Sequence, residues 1–299
     1  MLAIVIPYYK LTFFEETLQS LAIQTDKRFK VYIGDDASPE NPIELLEKYK
    51  GKFDFVYHRF QSNLGGTSLT KQWERCIALS KDKEWMMILG DDDKLGDNVV
   101  EAFYANYSTF KGISNVVRFA TKVRIENEDQ ETNIFFHPKL ESISDFLYRR
   151  INGETRSSMS EYIFSKAVYQ RYGFIDYPLA WHSDDRAWID FTENKPIFSI
   201  NSAVLIIRVS GLSVSGSVDN VCLKNKASEL YFSDIRKLNL KKISKRTKLL
   251  ILLKFEVMIK QKRNLSWTEW LNLLKEYASL GLLLPFIKVF RRMLINRFR

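Results

Sequence analysis

Three consecutive carboxylates, Asp91, Asp92 and Asp93, follow a short apolar run, Trp85 to Leu89, from which only Gly90 separates them. Negative charge packed that densely raises the pKa of every member by mutual repulsion, unless a cation neutralises it or water solvates it fully. Hard divalent cations with oxygen ligands, Mg²⁺ or Mn²⁺, suit such a cluster and commonly bridge one or two carboxylates to substrate phosphates. A solvated acidic turn is the alternative for the tripeptide taken alone. Two further acidic pairs matter. Asp35 and Asp36 end a second apolar run, Phe29 to Ile33, and Asp184 and Asp185 open what reads as a helix, where the dipole favours carboxylates.

The elements that must position these residues alternate. Leu2 to Ile6 reads as a buried strand ended by Pro7, followed by a helix carrying Phe14, Leu18 and Leu21, with Thr12 and Glu15 in a capping-box arrangement. Strands at Phe29 to Ile33, Phe53 to Tyr57 and Trp85 to Leu89 alternate with helices over Ile43 to Tyr49 and Ser68 to Leu79, the latter after the breaker Asn63-Leu64-Gly65-Gly66. Such alternation argues for an α/β fold, a mostly parallel sheet with helices on both faces, and ligands in such sheets bind beyond the carboxyl ends of the strands. Pro7-Tyr8-Tyr9, Asp35-Asp36 and Asp91-Asp92-Asp93 all follow strand ends and so belong to one rim. Beyond a helix over Asn98 to Tyr107, the chain reads as a strand from Val116 to Ile125, helices over Ser144 to Ile151 and Ser160 to Tyr172, and a strand from Phe198 to Val209. A Ser/Gly-rich loop, Ser210 to Ser217, follows.

The 299 residues, 45% hydrophobic and 14% aromatic, are enough for a sizeable core. Only Cys76 and Cys222 occur, far apart and without metal-ligand spacing, which fits a reducing compartment. The first ten residues read as a strand and not a signal peptide, and no window reaches the length of a membrane-spanning helix. The net charge of +9 is uneven: residues 236–299 hold 17 Lys/Arg against three Glu, while residues 1–235 carry 28 basic and 33 acidic side chains. That division suggests a main domain over 1–235, its first 97 residues regularly alternating and 98–235 less regular, and a basic amphipathic helical tail over 236–299. In the tail Phe286, Ile287, Val289, Phe290, Met293, Leu294 and Phe298 interleave with Lys288, Arg291, Arg292, Arg297 and Arg299. This pattern suits an anionic membrane surface through 238–299, better than nucleic acid, which is not an expected partner. Packing against the main domain or in a homo-oligomer is the alternative.

In order, Ile4-Val5-Ile6-Pro7-Tyr8-Tyr9, the set Leu18, Ser20, Leu21, Gln24 and Thr25, the set Val31, Gly34, Asp35, Asp36 and Ser38, Asn63 with Gly65, and Leu89-Gly90-Asp91-Asp92-Asp93 resemble the inverting glycosyltransferases of the GT-A fold, the large family 2. The likeness covers roughly residues 2 to 215. It implies the nucleotide-diphospho-sugar transferase fold, with the tail as a C-terminal helical extension. It further implies a metal-dependent transfer from a nucleotide-sugar, most often a uridine diphosphate sugar, to a saccharide or polyprenyl-linked acceptor in cell-surface polysaccharide assembly. The protein would then be cytoplasmic, peripheral on the inner face of the cell membrane.

By the same resemblance Pro7, Tyr8, Tyr9 and Asp36 would hold the base and ribose, and Asn63 belongs with this nucleotide-sugar set. Lys71 or its helix neighbours would approach the nucleotide or diphosphate. Gly90 departs from the family pattern, standing where an Asp is usual. Asp92 then takes the metal-ligand place with Asp93 beside it, and Asp91 reaches ribose or metal. The second acidic pair matches the catalytic-base element in two registers, one selecting Asp184 and the other Asp185. A single base without an enzyme nucleophile implies inversion. Trp181 and His182 fall to the acceptor site, and Ser210 stands where the family often has a His. Two other functions compete. A nucleotidyl or phosphoryl transferase would need a phosphate-binding glycine loop, and neither Gly-x-x-x-x-Gly-Lys-Ser/Thr nor Gly-x-Gly-x-x-Gly occurs. A non-catalytic sugar-nucleotide scaffold at the membrane has only the Gly90 and Ser210 departures in its favour.

Overall fold

The apolar run at the N-terminus forms β1 (Leu2–Tyr8), buried along nearly its whole length in the computed structural model, which describes residues 2–128, 130–239 and 241–297. After it come α1 (Phe14–Ala22), β2 (Phe29–Asp35), α2 (Ile43–Glu47), β3 (Phe55–Arg59), α3 (Leu69–Ala78) and β4 (Trp85–Ile88), in the alternation expected. The second half adds α4 (Val99–Ala105), α5 (Tyr107–Phe110), β5 (Val116–Ile125), β6 (Gln130–Glu131), β7 (Leu140–Glu141), α6 (Ile143–Ile151), β8 (Tyr162–Ser165), α7 (Lys166–Tyr172), α8 (Ser183–Phe191) and β9 (Ile197–Val209). The chain continues with α9 (Val221–Ile235), α10 (Lys245–Lys260), α11 (Trp267–Ser279) and α12 (Leu283–Arg297).

The strands form one mixed sheet in the order β3-β2-β1-β4-β8-β5-β9-β7, with β6 paired to β5. The parallel ladders are the long ones, seven residue pairs between β1 and β2 and nine between β5 and β9, whereas each antiparallel ladder holds two or three. Strands β1, β2, β3 and β4 are all mutually parallel, so their carboxyl ends lie along one edge. Ile4, Ile6, Val31, Ile33, Met87, Phe103, Phe110 and Phe119 belong to the apolar core on the sheet. Burying side chains of this size contributes about 1.5–3 kcal/mol each before the opposing entropy is counted.

Several sequence expectations shift. β1 runs past Pro7 to Tyr8; its pairing with β4 ends at Val5, so the missing Pro7 N–H falls beyond that ladder. Phe13, not Thr12, precedes α1, and no side chain caps it, so the capping box is not formed. The helix expected over 160–172 is half strand. After a short 3-10 turn at Met159–Glu161, Ile163 and Phe164 pair antiparallel with both β4 and β5 and Tyr162 with β5, all three buried, and the α-helix begins only at Lys166, capped by the Ser165 hydroxyl. Sheet pairing overrides the local helical spacing there.

The chain divides into two units, residues 1–143 with 156–227, and residues 144–155 with 228–299. The second unit therefore begins earlier than residue 236 and takes in most of α6. Within it, Ser144 Oγ accepts the Ser244 N–H at 3.0 Å and lies 3.0 Å from Thr247 Oγ1. Trp270, Leu273, Tyr277, Val289 and Met293 are buried within the unit. Ser266 and Glu269 form a reciprocal capping box at α11. The buried Lys248 ammonium donates to Leu238 O at 3.0 Å and to Arg236 O, and burial lowers its pKa. Among the described residues no helix is long and apolar enough to cross a membrane.

Candidate active site

Register decides which residues share the rim. Tyr8 lies beside Asp35 and Val5 beside Ile88, so Tyr9, Asp36 and Gly90 emerge together at the sheet's edge. The three loops are hydrogen-bonded to one another. Asp36 N donates to Tyr8 O at 3.1 Å, and Ser38 Oγ donates to Tyr9 O at 2.5 Å. Asp91 Oδ2 accepts from Tyr9 N at 2.7 Å and Lys10 N at 2.9 Å. Asp91, expected to reach ribose or metal, anchors the loop after β1 through Oδ2. Burial raises its pKa, against which the two N–H donors act.

The other two members of the triplet have different environments. Asp93 is 7% exposed, and both of its oxygens accept protein hydrogen bonds, Oδ2 from Ser160 Oγ at 2.5 Å and Oδ1 from Arg208 N at 2.8 Å. Both oxygens of Asp93, expected beside Asp92 as a metal ligand, are thus held by the protein. Asp92 is half-buried, and among the described residues its carboxylate has no hydrogen bond to another residue. Burial first, then Asp93 and Asp91, push its pKa up to about 8. Arg208 closes the site from behind, its Nε donating to Asp92 O at 3.0 Å while the guanidinium pairs with Glu16 at 2.9 Å and with Glu126 and lies 4.0 Å from the Phe13 ring centre. At the Gly90 departure a Cβ would lie 2.9 Å from Asp92 Oδ1 and 3.0 Å from Asp93 Oδ2, so a side chain there would displace these carboxylates.

Asp36, 4% exposed, sits in a cradle of its own. Oδ1 accepts from Leu64 N at 2.7 Å and Oδ2 from Gly65 N at 2.9 Å, and Arg75 pairs with Oδ1. The Arg75 guanidinium in turn lies 3.9 Å from the Phe60 ring centre. Gly65 is required here, since its Cβ would stand 2.6 Å from Asp36 Oδ2. Exposed Asn63 closes the turn by accepting Gly66 N at 2.6 Å, so its part is to shape the loop. Lys71 is exposed at the start of α3; the cation that reaches Asp36 is Arg75, one helical turn later. Tyr8, expected with Tyr9 at the nucleotide, faces inward instead. It is fully buried, donates to Glu40 O at 2.7 Å and packs on Phe14, whereas Pro7 is half-buried and Tyr9 is 37% exposed. Asp35 accepts from Ser38 N, Tyr57 and Arg59 and is likewise a support.

The segment before α8 is anchored to this rim. Asp176 accepts from Ser68 Oγ at 2.8 Å and Thr70 Oγ1 at 2.6 Å at the start of α3, and Trp188 of α8 stacks on Tyr162 of β8 with ring centres 4.1 Å apart. Between these anchors Leu179, Ala180 and His182 all have positive φ. Non-glycine residues held there carry strain that the surrounding packing must sustain. Asp185 is 2% exposed and lies 2.9 Å from His182 Nδ1, while Asp184, its neighbour in the first turn, is half-buried. Trp181 is half-buried with Lys224 Nζ 4.9 Å from its ring centre. Ser210 is buried and accepts Leu212 N at 3.2 Å, and Lys10 Nζ reaches Leu212 O at 2.6 Å, joining this loop to the end of β1.

Sequence reasoning missed Lys10, Arg75, Ser160 and Asp176 as members of this site, and singled out Arg208 only as the start of the segment that carries Ser210. Of the missed residues, only Arg75, at helical spacing from Lys71, carried a local signal. Among the described residues no three His, Cys, Asp or Glu side chains form a group able to hold a metal. The residues present fit a cation that takes one carboxylate, Asp92, and completes its shell with water and phosphate oxygens, as Mg²⁺ commonly does.

No curated protein matches the chain in sequence. Among solved structures, S. aureus TarS 1–349 in complex with UDP superimposes with a TM-score of 0.63 at 17% identity, over 93% of this chain and 80% of that one. The same fragment in complex with UDP-GlcNAc gives 0.63 at 16% identity, over 93% and 81%. The longer S. aureus TarS gives 0.60 at 17% identity over 93% of this chain and 49% of that one. At such identities the likeness is one of fold. The sequence profile described as glycosyl transferase family 2 matches residues 3–177, more than half of the chain. With that match resting on the same strands and loops that build the rim, the chain belongs to glycosyl transferase family 2 and is a glycosyltransferase.

Proposed function

We propose that the protein transfers a sugar, with inversion, from a uridine diphosphate sugar to a saccharide or polyprenyl-linked saccharide in cell-surface polysaccharide assembly, at the cytoplasmic face of the membrane. The observation that carries this reading is the pairing on one rim of the Asp36 cradle with the unengaged, half-buried carboxylate of Asp92. The UDP and UDP-GlcNAc bound by the TarS neighbours support the choice of donor.

In this reading the Asp36 cradle and Tyr9 receive the base and ribose, and Asp92 faces the diphosphate. Mg²⁺ or Mn²⁺, held by Asp92, supplies neutralisation of the charge on the departing diphosphate. Asp91, Asp93, Ser160 and Arg208 keep Asp92 and the loop after β1 in place. Asp184, the more exposed carboxylate at the start of α8, takes the proton of the acceptor hydroxyl as its oxygen bonds to the anomeric carbon and the bond to the diphosphate breaks. Asp185 orients His182, which with Trp181 lines the acceptor side.

The test is release of nucleoside diphosphate from a panel of nucleotide-sugars, with and without Mn²⁺, with membrane lipid extract as acceptor. Metal-dependent release from a uridine diphosphate sugar is expected. Release from a different nucleotide's sugar, or metal-independent turnover, would overturn the donor or the metal assignment respectively.

A further inference from the structure

Helix α12 has two apolar faces, and only one is used inside its unit. Val289 and Met293 point inward and are buried. On the other side Leu283 is 72% exposed, Leu284 70%, Ile287 51% and Phe290 44%, with Leu294 and Ile295 also exposed. Leu283, Ile287, Phe290 and Leu294 recur at spacings of four, three and four, which confines them to a strip about 60° wide on a helix of 3.6 residues per turn. Lys288 and Arg291 are also exposed: Arg291 lies about 40° from the edge of the strip, and Lys288 flanks the wider apolar arc that the exposed Leu284 and Ile295 add to it. Exposed large apolar side chains in one contiguous stripe mark an interaction surface.

We propose that this outer face of α12 docks on an anionic lipid bilayer, with Leu283, Ile287, Phe290 and Leu294 entering the headgroup boundary and Lys288 and Arg291 pairing with lipid phosphates. Charge selects the occupant. Residues 236–299 hold 17 Lys/Arg against three Glu, so a second copy of the same face would bring like charge against like, whereas an anionic surface is complementary. The long basic side chains can extend past the apolar strip to reach phosphate while the strip itself is buried. A helix lying in the interface plane in this way needs no membrane-spanning length, in keeping with the absence of a spanning helix among the described residues. The inward residues Val289 and Met293 also correct the simplest picture of a single amphipathic tail, because its predicted apolar side is divided between packing and surface. Of the tail residues singled out in the sequence, the Arg297 side chain and residues Phe298 and Arg299 lie outside the described residues.

This inference rests on the membrane context proposed above for its purpose, but its test uses neither donor nor acceptor, so the two fail separately. The full chain is sedimented with vesicles of neutral phosphatidylcholine alone and of phosphatidylcholine with phosphatidylglycerol, and its mass is measured in solution by light scattering. Binding to the anionic vesicles, at least tenfold stronger than to neutral ones and weakened by salt, is expected. Lys288→Glu/Arg291→Glu, which alters exposed charge only, should reduce it about tenfold or more, and Ile287→Asp/Phe290→Asp should do the same with the unfolding temperature retained. Equal partitioning to neutral and anionic vesicles, or undiminished binding by the charge-reversed variant, would overturn the proposal. So would a stable dimer that Ile287→Asp/Phe290→Asp dissociates, since the face would then be an interface between copies.

Discussion

Ser160, in the turn just before β8, holds Asp93, its hydroxyl donating to Asp93 Oδ2 at 2.5 Å while the same hydroxyl oxygen accepts the Gly90 N–H at 3.0 Å. One hydroxyl thereby fixes both ends of the Gly90 to Asp93 loop, with Asp92 between them. Glu161, the next residue, is itself pinned by the buried Arg118 at 2.7 Å, so the turn presenting Ser160 has little freedom.

Removing that hydroxyl separates positioning from folding. Ser160→Ala leaves a buried Asp93 oxygen without its donor and should cost about 1–2 kcal/mol of stability. The larger expected effect is on Asp92: apparent affinity for the divalent cation and donor should weaken roughly tenfold while turnover at saturation falls less. Steady-state kinetics over a metal titration checks this, and restoration by Ser160→Thr would show that the hydroxyl is responsible.

Asp92→Asn keeps size and removes charge. The variant should fold, because the Asp92 side chain bonds no other described residue and its ionised form is disfavoured by burial and by the neighbouring carboxylates. Turnover should drop at least about a hundredfold. Calorimetry of Mn²⁺ binding in the presence of nucleoside diphosphate should show the metal affinity lost, and an unchanged affinity would remove Asp92 from the metal site.

The two carboxylates at the start of α8 should respond differently. Asp184→Asn is expected to lower kcat about a thousandfold with little change in donor KM, because the half-buried Asp184 carboxylate is the one proposed above as the base. Asp185→Asn, which keeps a hydrogen bond to His182, should retain a substantial part of the activity. If the order is reversed, the base is Asp185.

Acid stability should depend on Glu269. Arg263, donating to both of its oxygens at 2.7 and 2.8 Å, holds the Glu269 carboxyl at about 2, against the usual 4.5. A depressed carboxyl stabilises the fold fully above its unfolded value, so this contribution is present above about pH 4.5 and lost as the pH falls towards 2. With Arg263 46% exposed, solvent screening leaves it on the order of 1–2 kcal/mol. Thermal unfolding of Glu269→Gln should lie below that of the unaltered protein at pH 7, and the gap should close near pH 2.

The sequence by itself determined the alternating strands and helices and the common rim at the ends of β1, β2 and β4 on which Asp36 and Asp92 stand. Apolar runs of strand length and breakers such as Gly65-Gly66 act locally, so their periodicity is legible without coordinates. Only the tertiary structure decided what each of the rim residues touches and how deeply it is buried. Tyr8 could not be told from Tyr9 until the sheet's register buried one and exposed the other. Asp91 and Asp93 were indistinguishable from Asp92 until Tyr9 and Lys10 on one side, and Ser160 and Arg208 on the other, engaged their oxygens. Strand β8, read as helix from its spacing, took its form from the slot between β4 and β5. In the last helix, local amphipathicity did not reveal that Val289 and Met293 pack inward while Ile287 and Phe290 face out. In each case the deciding partner lies tens of residues away in the chain. Hydrogen bonds and burial of that kind depend on the fold's closure, which no local pattern encodes.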